Sequence, residues 1–463
     1  MNNTTTRNRT SWALAVGAAL LVLASAGSAQ ATIEGITGVT TFNFAAGEGE
    51  IVIADGGSYE FWGYEDLDGH EGVGLPQYPG PTIIVNQGDY VTINLTSELH
   101  DQCTSMVFPG HAVSVTAGTG DQEGQLTRET CPGGTAVQYT FTAEEPGTYM
   151  YYSGTNAQLQ VEMGLLGVII VRPGAPFNDG HHAYNDARSR YDHEYLFLLT
   201  SMDPYFHTRA EQHQYSAIDY SARWPVYWFI NGRTAPDDLG ESFVSWAPHQ
   251  PYNCLPRMRP GESVLVRIIG GDQDQHPLHL HGNHYHEIAR YGRMLQTPGG
   301  ALASRAQFTT LSVPGQTVDA IFTWTGEKLG WDIYGTLQDG QLDHDCNGIA
   351  LSSCESADPS DSNPACQSAG YDPVTNEYCG DHGKPFPVTL PENQNLAFGG
   401  WWSGSPFLGG GEQLPPGEGG LNPNNGFFFM WHSHTEKELT NFDIFPGGML
   451  SMMVVEPPGT PIP

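Results

Sequence analysis

Apolar residues recur along most of the chain at strand-like spacing, and no stretch keeps a 3.6-residue period over four turns. Residues 82–95 (TIIVNQGDYVTINL) read as a strand, a Gly-Asp turn and a second strand. Further β-rich runs fall at 137–142, 165–171, 195–199, 263–269 and 449–455. The pattern predicts an all-β protein.

The chain also repeats itself. Residues 163–173 (MGLLGVIIVRP) align without gaps against 447–457 (GGMLSMMVVEP), and 150–154 (MYYSG) against 430–434 (MWHSH). Upstream, PGGT at 132–135 and FT at 141–142 match PGQT at 314–317 and FT at 322–323 with one residue of slip. VFPG at 107–110 stands where the second copy has HLHG at 279–282. Such a repeat predicts two copies of one β-sandwich domain, at residues 32–173 and 190–458, joined by a linker at 174–189. The second copy carries a Gly-, Pro- and Ser-rich insertion at about 337–425.

Composition narrows the function classes. A formal net charge of −33 repels phosphate backbones and anionic lipid, so nucleic acid is not an expected partner. Arg7 and Arg9 precede an apolar run at 12–23 and an Ala29-Gln30-Ala31 site, the pattern of a secretory signal peptide over residues 1–31. No later stretch is long enough for a membrane span, so no membrane insertion is expected and the mature chain is expected outside the cytoplasm, secreted or periplasmic. Export permits disulfides. Cys103 and Cys131 can pair. Cys346, Cys354, Cys366 and Cys379 cluster in the insertion, and Cys254 is left free or pairs with one of them.

The chemistry concentrates in histidine. HPLHLHGNHYH at 276–286 holds five of the chain's 18 histidines, and WHSH at 431–434 adds a second His-x-His. Residues two apart on a strand share a face, so His279 with His281, and His432 with His434, can present four imidazoles to one ion. Neutral imidazole suits Cu, Zn, Fe and Ni. A lone histidine is most often a surface or core residue, but two His-x-His pairs in one domain are rarely accidental. His279-x-His281 with Glu287 also loosely fits a cupin site; the duplicated flanks and the second pair favour the other reading. Asp272 and Asp274 can support imidazole N–H groups. Asp66, Asp68 and Glu71 form an acidic loop without the EF-hand pattern. No G-x-S-x-G, H-E-x-x-H or P-loop occurs.

On these residues the chain resembles the multicopper oxidases, which are built from cupredoxin domains. PGPTIIVNQGD at 79–89 is similar to that family's opening signature, HPLHLHG at 276–282 to its third copper motif, and 431–449 to its fourth. The resemblance implies two cupredoxin-like Greek-key β-sandwich domains, the two-domain branch of the family, whose relatives assemble as homo-oligomers. It implies copper as cofactor and a small-molecule or metal-ion substrate. Carried over, His276 sits at a blue-copper position, His279 at a ligand of the trinuclear cluster's lone copper, and His281, His432 and His434 at ligands of its copper pair. Met449 falls near the axial position.

The departures are as informative. Ser433 replaces the blue-copper cysteine, and Glu438 stands where the family has its second blue-copper histidine. A hydroxyl cannot replace an electron-carrying thiolate. VFPG at 107–110 and Tyr152-Ser153-Gly154 replace the N-terminal His-x-His motifs, and His111 beside them is a weak substitute. The expectation is a reduced copper set held by His279, His281, His432 and His434. Either it supports oxidoreductase chemistry, or the chain is a non-catalytic binding, structural or copper-sequestering protein on the same scaffold.

Overall fold

The computed structural model describes residues 33–118, 126–327, 371, 376, 378, 426–456 and 460–462; the segment expected as a signal peptide and nearly all of the expected insertion, with its four cysteines, lie outside these. The first half contains β1 (Thr41–Val52), β2 (Ser58–Asp66), β3 (Ile83–Asn86), β4 (Tyr90–Ser97), β5 (Ser114–Ala117), β6 (Val137–Thr142), β7 (Gly147–Tyr152), the short helix α1 (Ala157–Glu162) and β8 (Leu166–Arg172). The second contains β9 (His193–Met202), α2 (Pro204–Glu211), β10 (Tyr227–Ile230), β11 (Arg257–Met258), β12 (Ser263–Gly270), β13 (His276–Leu280) and β14 (Tyr285–Arg290). It continues with β15 (Arg293–Met294), β16 (Arg305–Gln307), β17 (Thr309–Ser312), β18 (Thr317–Thr323), β19 (Phe427–Ser433) and β20 (Leu450–Val455).

Among the described residues four sheets result, with strand orders β2-β1-β4-β6-β5, β3-β8-β7, β10-β9-β12-β18-β14-β15 (β16 joining at β14) and β11-β20-β19-β13-β17. The sequence pattern explains how they stack. β8 (LGVIIVR) and most of β9 and β12 are buried without alternation, as strands covered on both faces must be. β4 and most of β19 alternate buried and half-buried residues, as outer strands do. Ile83 and Ile169 point into a core with Phe42, Trp62 and Val91. Val168 and Ile170 point the other way, against Leu196, Leu198 and Ile269. The opposite face of that third sheet (Phe197, Val266, Ile268) packs on Leu278, Leu280 and Trp431 of the fourth.

The strand pairings repeat between halves. β1 runs parallel to β4 as β9 does to β12, and β3 runs parallel to β8 as β11 does to β20. Tyr152 pairs with Leu166 as His432 pairs with Leu450, and these residues are aligned in the sequence duplication. β3 and β4, adjacent at the Gly88-Asp89 turn, enter different sheets and so are not a hairpin. The segment expected as a linker is packed: Ala183, Tyr184 and Ser189 are buried, and the Tyr184 hydroxyl donates to Asp319.

Cys103 and Cys131 form a disulfide across 28 residues, and Cys254 is a buried free thiol. Closing a loop of that length restricts the unfolded chain by roughly 3–4 kcal/mol. The double variant C103S/C131S is expected to lose about that much in urea unfolding under non-reducing conditions. A loss below about 1 kcal/mol would assign the bond no such role.

Candidate metal centre

β13 and β19 pair antiparallel with His279 opposite His432 and Leu278 opposite Ser433. The register is clamped by His281 N–H donating to Met430 O (2.9 Å) and His434 N–H to Pro277 O (2.8 Å). Alternation then divides the side chains between two faces. Leu278, Leu280, Phe429 and Trp431 enter the core. His279, His281 and His432 share the outward face, where ligand nitrogens of all three lie within 4.8 Å of one another. Exposed Phe308 and Leu311 lie near them, with the Phe308 ring 5.7 Å from that of His279.

The hydrogen bonds fix the tautomers. His432 Nδ1 must donate to the Ser433 carbonyl (2.5 Å), so its Nε2 carries a lone pair. That lone pair faces His281 Nε2 at 2.9 Å. The Thr309 hydroxyl engages His279 Nδ1 at 2.8 Å, leaving Nε2 for another partner. Burial, and then the neighbouring imidazoles, hold His279 and His281 down to about 4, and burial likewise lowers His432. At neutral pH these are uncharged rings: His281 Nε2–H donates to the His432 lone pair, and a cation that replaced that proton would meet the nitrogen donor set a borderline cation requires. A copper ion therefore fits here. His434 stands at the edge, its ring 4.9 Å from that of His279 and its side chain 54% exposed. It is not among the three whose nitrogens converge.

His276 differs from this expectation. Three residues before His279, it falls on the other face and is fully buried. Its Nε2 lies 3.0 Å from Asp272 and its Nδ1 2.9 Å from Glu438, so both nitrogens donate. Burial opposes the charge, but the two carboxylates outweigh it and carry the ring up to about 10. Ser433 Oγ also donates to Glu438 (2.5 Å), and the Ser201 hydroxyl donates to Asp272 and accepts from Arg223 (2.8 Å). Arg223 in turn holds Asp274 (2.5 Å) and Glu162 (2.6 Å). Asp272 thus supports His276, not the outward histidines. An imidazolium offers no lone pair, and Ser433 offers no thiolate, so a blue-copper ion does not fit this face. Met449 is fully buried in the core cluster that also holds Trp431.

Among the described residues the first half shows no counterpart to this histidine cluster. Val107 bridges Tyr152 as His279 pairs with His432, which places an apolar side chain and a phenol where the duplication puts imidazoles. Tyr151 is buried and donates to Pro81 O (2.7 Å). His111 packs between Phe141 and Tyr149, and burial lowers it to about 4. In the acidic loop, Asp66 engages His70, Asp68 accepts from Asn43, and Glu71 accepts from Tyr252.

The sequence alone does not show how far this network extends. Its signal was the Asp272/His276 spacing in the strand entry. The variant H276Q leaves two buried carboxylates without their cation and should lose about 3–5 kcal/mol at pH 6. The folded ring titrates near 10 against an ordinary 6.5, so its contribution is complete below about 6.5 and lost as pH climbs through about 10. The gap between parent and variant should narrow over that window in denaturant titrations; equal midpoints at pH 6 would refute the charged pair.

Comparisons place these features among known proteins. The multicopper oxidase family model matches residues 75–176. An iron transport multicopper oxidase of Epichloe festucae is 38% identical over 104 residues, 22% of this chain and 16% of that protein. An L-ascorbate oxidase of Cucurbita pepo var. melopepo is 31% identical over 163 residues, 34% of this chain and 26% of that protein. The chain therefore matches only about a quarter or less of the length of these relatives. The solved multicopper oxidase mgLAC superposes over 91% of this chain and 87% of its own, with TM-score 0.50 at 16% identity, a likeness of fold.

Proposed function

For a chain of the multicopper oxidase family, carrying that family's domain over residues 75–176 on a cupredoxin-type fold, we propose a secreted copper-binding protein with a reduced copper set and no blue-copper centre. In this reading residues 32–173 and 190–458 are the duplicated units, 174–189 joins them, and residues 1–31 direct export. The observation that carries it is the convergence of His279, His281 and His432 as neutral rings on one sheet face.

Copper held there would supply one-electron redox chemistry and an acidified water. The protein's part is positional. Thr309 and the Ser433 carbonyl orient the His279 and His432 rings, and the β13–β19 register sets their separation. His281 and His432 share one proton between facing Nε2 atoms, and a cation would replace that proton. His434 is placed to add a fourth nitrogen from the exposed edge. The open side of the face leaves room for a small-molecule or metal-ion reductant.

A second reading, binding or sequestering copper without turnover, is favoured by one observation. The face where the family's electron relay would lie is occupied by the Asp272–His276–Glu438 ion pairs. Any electron would have to enter at the outward histidines directly.

Copper-loaded, desalted protein is expected to show no intense blue band and to retain about one ion per chain more than H279A/H432A does. Oxygen consumption with a small-molecule or metal-ion donor that vanishes in the double variant supports the oxidoreductase. Retained copper without consumption supports sequestration. Unchanged copper content in H279A/H432A would overturn both.

A further inference from the structure

A second cluster of ligand-type side chains, sharing no residue with the one above, draws its members from both halves of the chain. His100 and Asp101 occupy the turn that follows β4, and His213 follows α2 of the second half. Helix α2 is capped by Asp203, whose side chain accepts from Tyr205 N–H, and has Pro204 in its first turn, so its end is set by the chain itself. One nitrogen from each histidine and one Asp101 oxygen lie within 4.8 Å of one another. The two imidazoles stack with centroids 4.3 Å apart and 26° between planes.

These groups are oriented by hydrogen bonds. The Tyr215 hydroxyl donates to Asp101 Oδ1 (2.9 Å), so it must accept from His213 Nδ1–H (3.1 Å). The Nε2 of His213 therefore carries its lone pair. Tyr215 is itself fixed edge-on against Trp62, which is fully buried. A ring oriented through its other nitrogen is how proteins prepare a histidine for a metal. His100 is placed by its backbone N–H, which donates to Glu48 Oε1 (2.8 Å). Glu48 also lines a cleft of about 410 Å³ with Glu50, Glu60, His207 and Glu211. Four carboxylates beside the cluster raise the local concentration of cations.

We propose that His100, Asp101 and His213 form a surface site for a divalent first-row transition cation. Two imidazoles and one carboxylate select such an ion over calcium or magnesium, which prefer all-oxygen shells. Exposed rings can tilt from their stack to bring both nitrogens to about 2.0–2.1 Å from one ion, with water completing the shell. Because Asp101 belongs to the first half and His213 to the second, the bound ion ties the two halves at this seam. The site is independent of the His279–His281–His432 centre and shares no residue with it.

Zinc, which is redox-silent, is the probe. Chelator-stripped H279A/H432A protein is titrated with Zn²⁺ by calorimetry and by equilibrium dialysis with elemental analysis. One tightly held ion per chain is expected, with a rise in melting temperature on loading. Adding H100Q/H213Q should weaken that binding about 100-fold or more and abolish the melting shift, and D101N alone about tenfold. The three side chains are exposed, so circular dichroism should show the variants folded. Binding and melting shift unchanged by H100Q/H213Q, or no zinc retained by H279A/H432A, would overturn the site. Neither result depends on whether copper binds the outward histidines.

Discussion

The pairing of β13 with β19 governs everything that happens at the histidines. One antiparallel register sets His279 opposite His432, and strand alternation does the rest. It sends three imidazoles outward and sends His276 and Ser433 to the other side. A shift of one residue would exchange the faces, burying the imidazoles and exposing Leu278 and Leu280. The core contacts of Leu278, Leu280 and Trp431 are therefore what hold the metal-type geometry in place.

The two faces have opposite electrostatic character. On the outward face, burial, and then the crowding of neutral rings, depresses their basicity. On the inward face, carboxylates surround a single ring and raise it. The same residue type thus serves as lone-pair donor in one place and as fixed cation in the other. Ser433 and Glu438 are satisfied within this side: they hydrogen-bond to each other, and Glu438 pairs with His276. Charge that would otherwise be buried unpaired is balanced through Asp272, Arg223 and Glu162.

Much of this was legible in the sequence. The alignment of Tyr152 with His432 and of Val107 with His279 anticipated pairings that the two halves share, because repeated sequence imposes repeated register. The His-x-His spacing gave the shared outward face by strand geometry alone. Other features were not legible. That β3 and β4 part into different sheets depends on long-range partners, β8 for one and β1 and β6 for the other. The reach of the Asp272–His276–Glu438 network depends on Arg223 and Ser201, whose sequence positions carry no pattern. Tyr184, in a segment that reads as linker, is buried by its bond to Asp319, more than a hundred residues away.

The most direct test is a crystal structure of the copper-loaded protein with anomalous scattering recorded at the copper edge. The ion is expected on the outward face, bonded to His279, His281 and His432 at about 2.0–2.1 Å, with His276 still between Asp272 and Glu438. An anomalous peak beside His276, Ser433 and Glu438, or none at the three histidines, would contradict the assignment of the two faces.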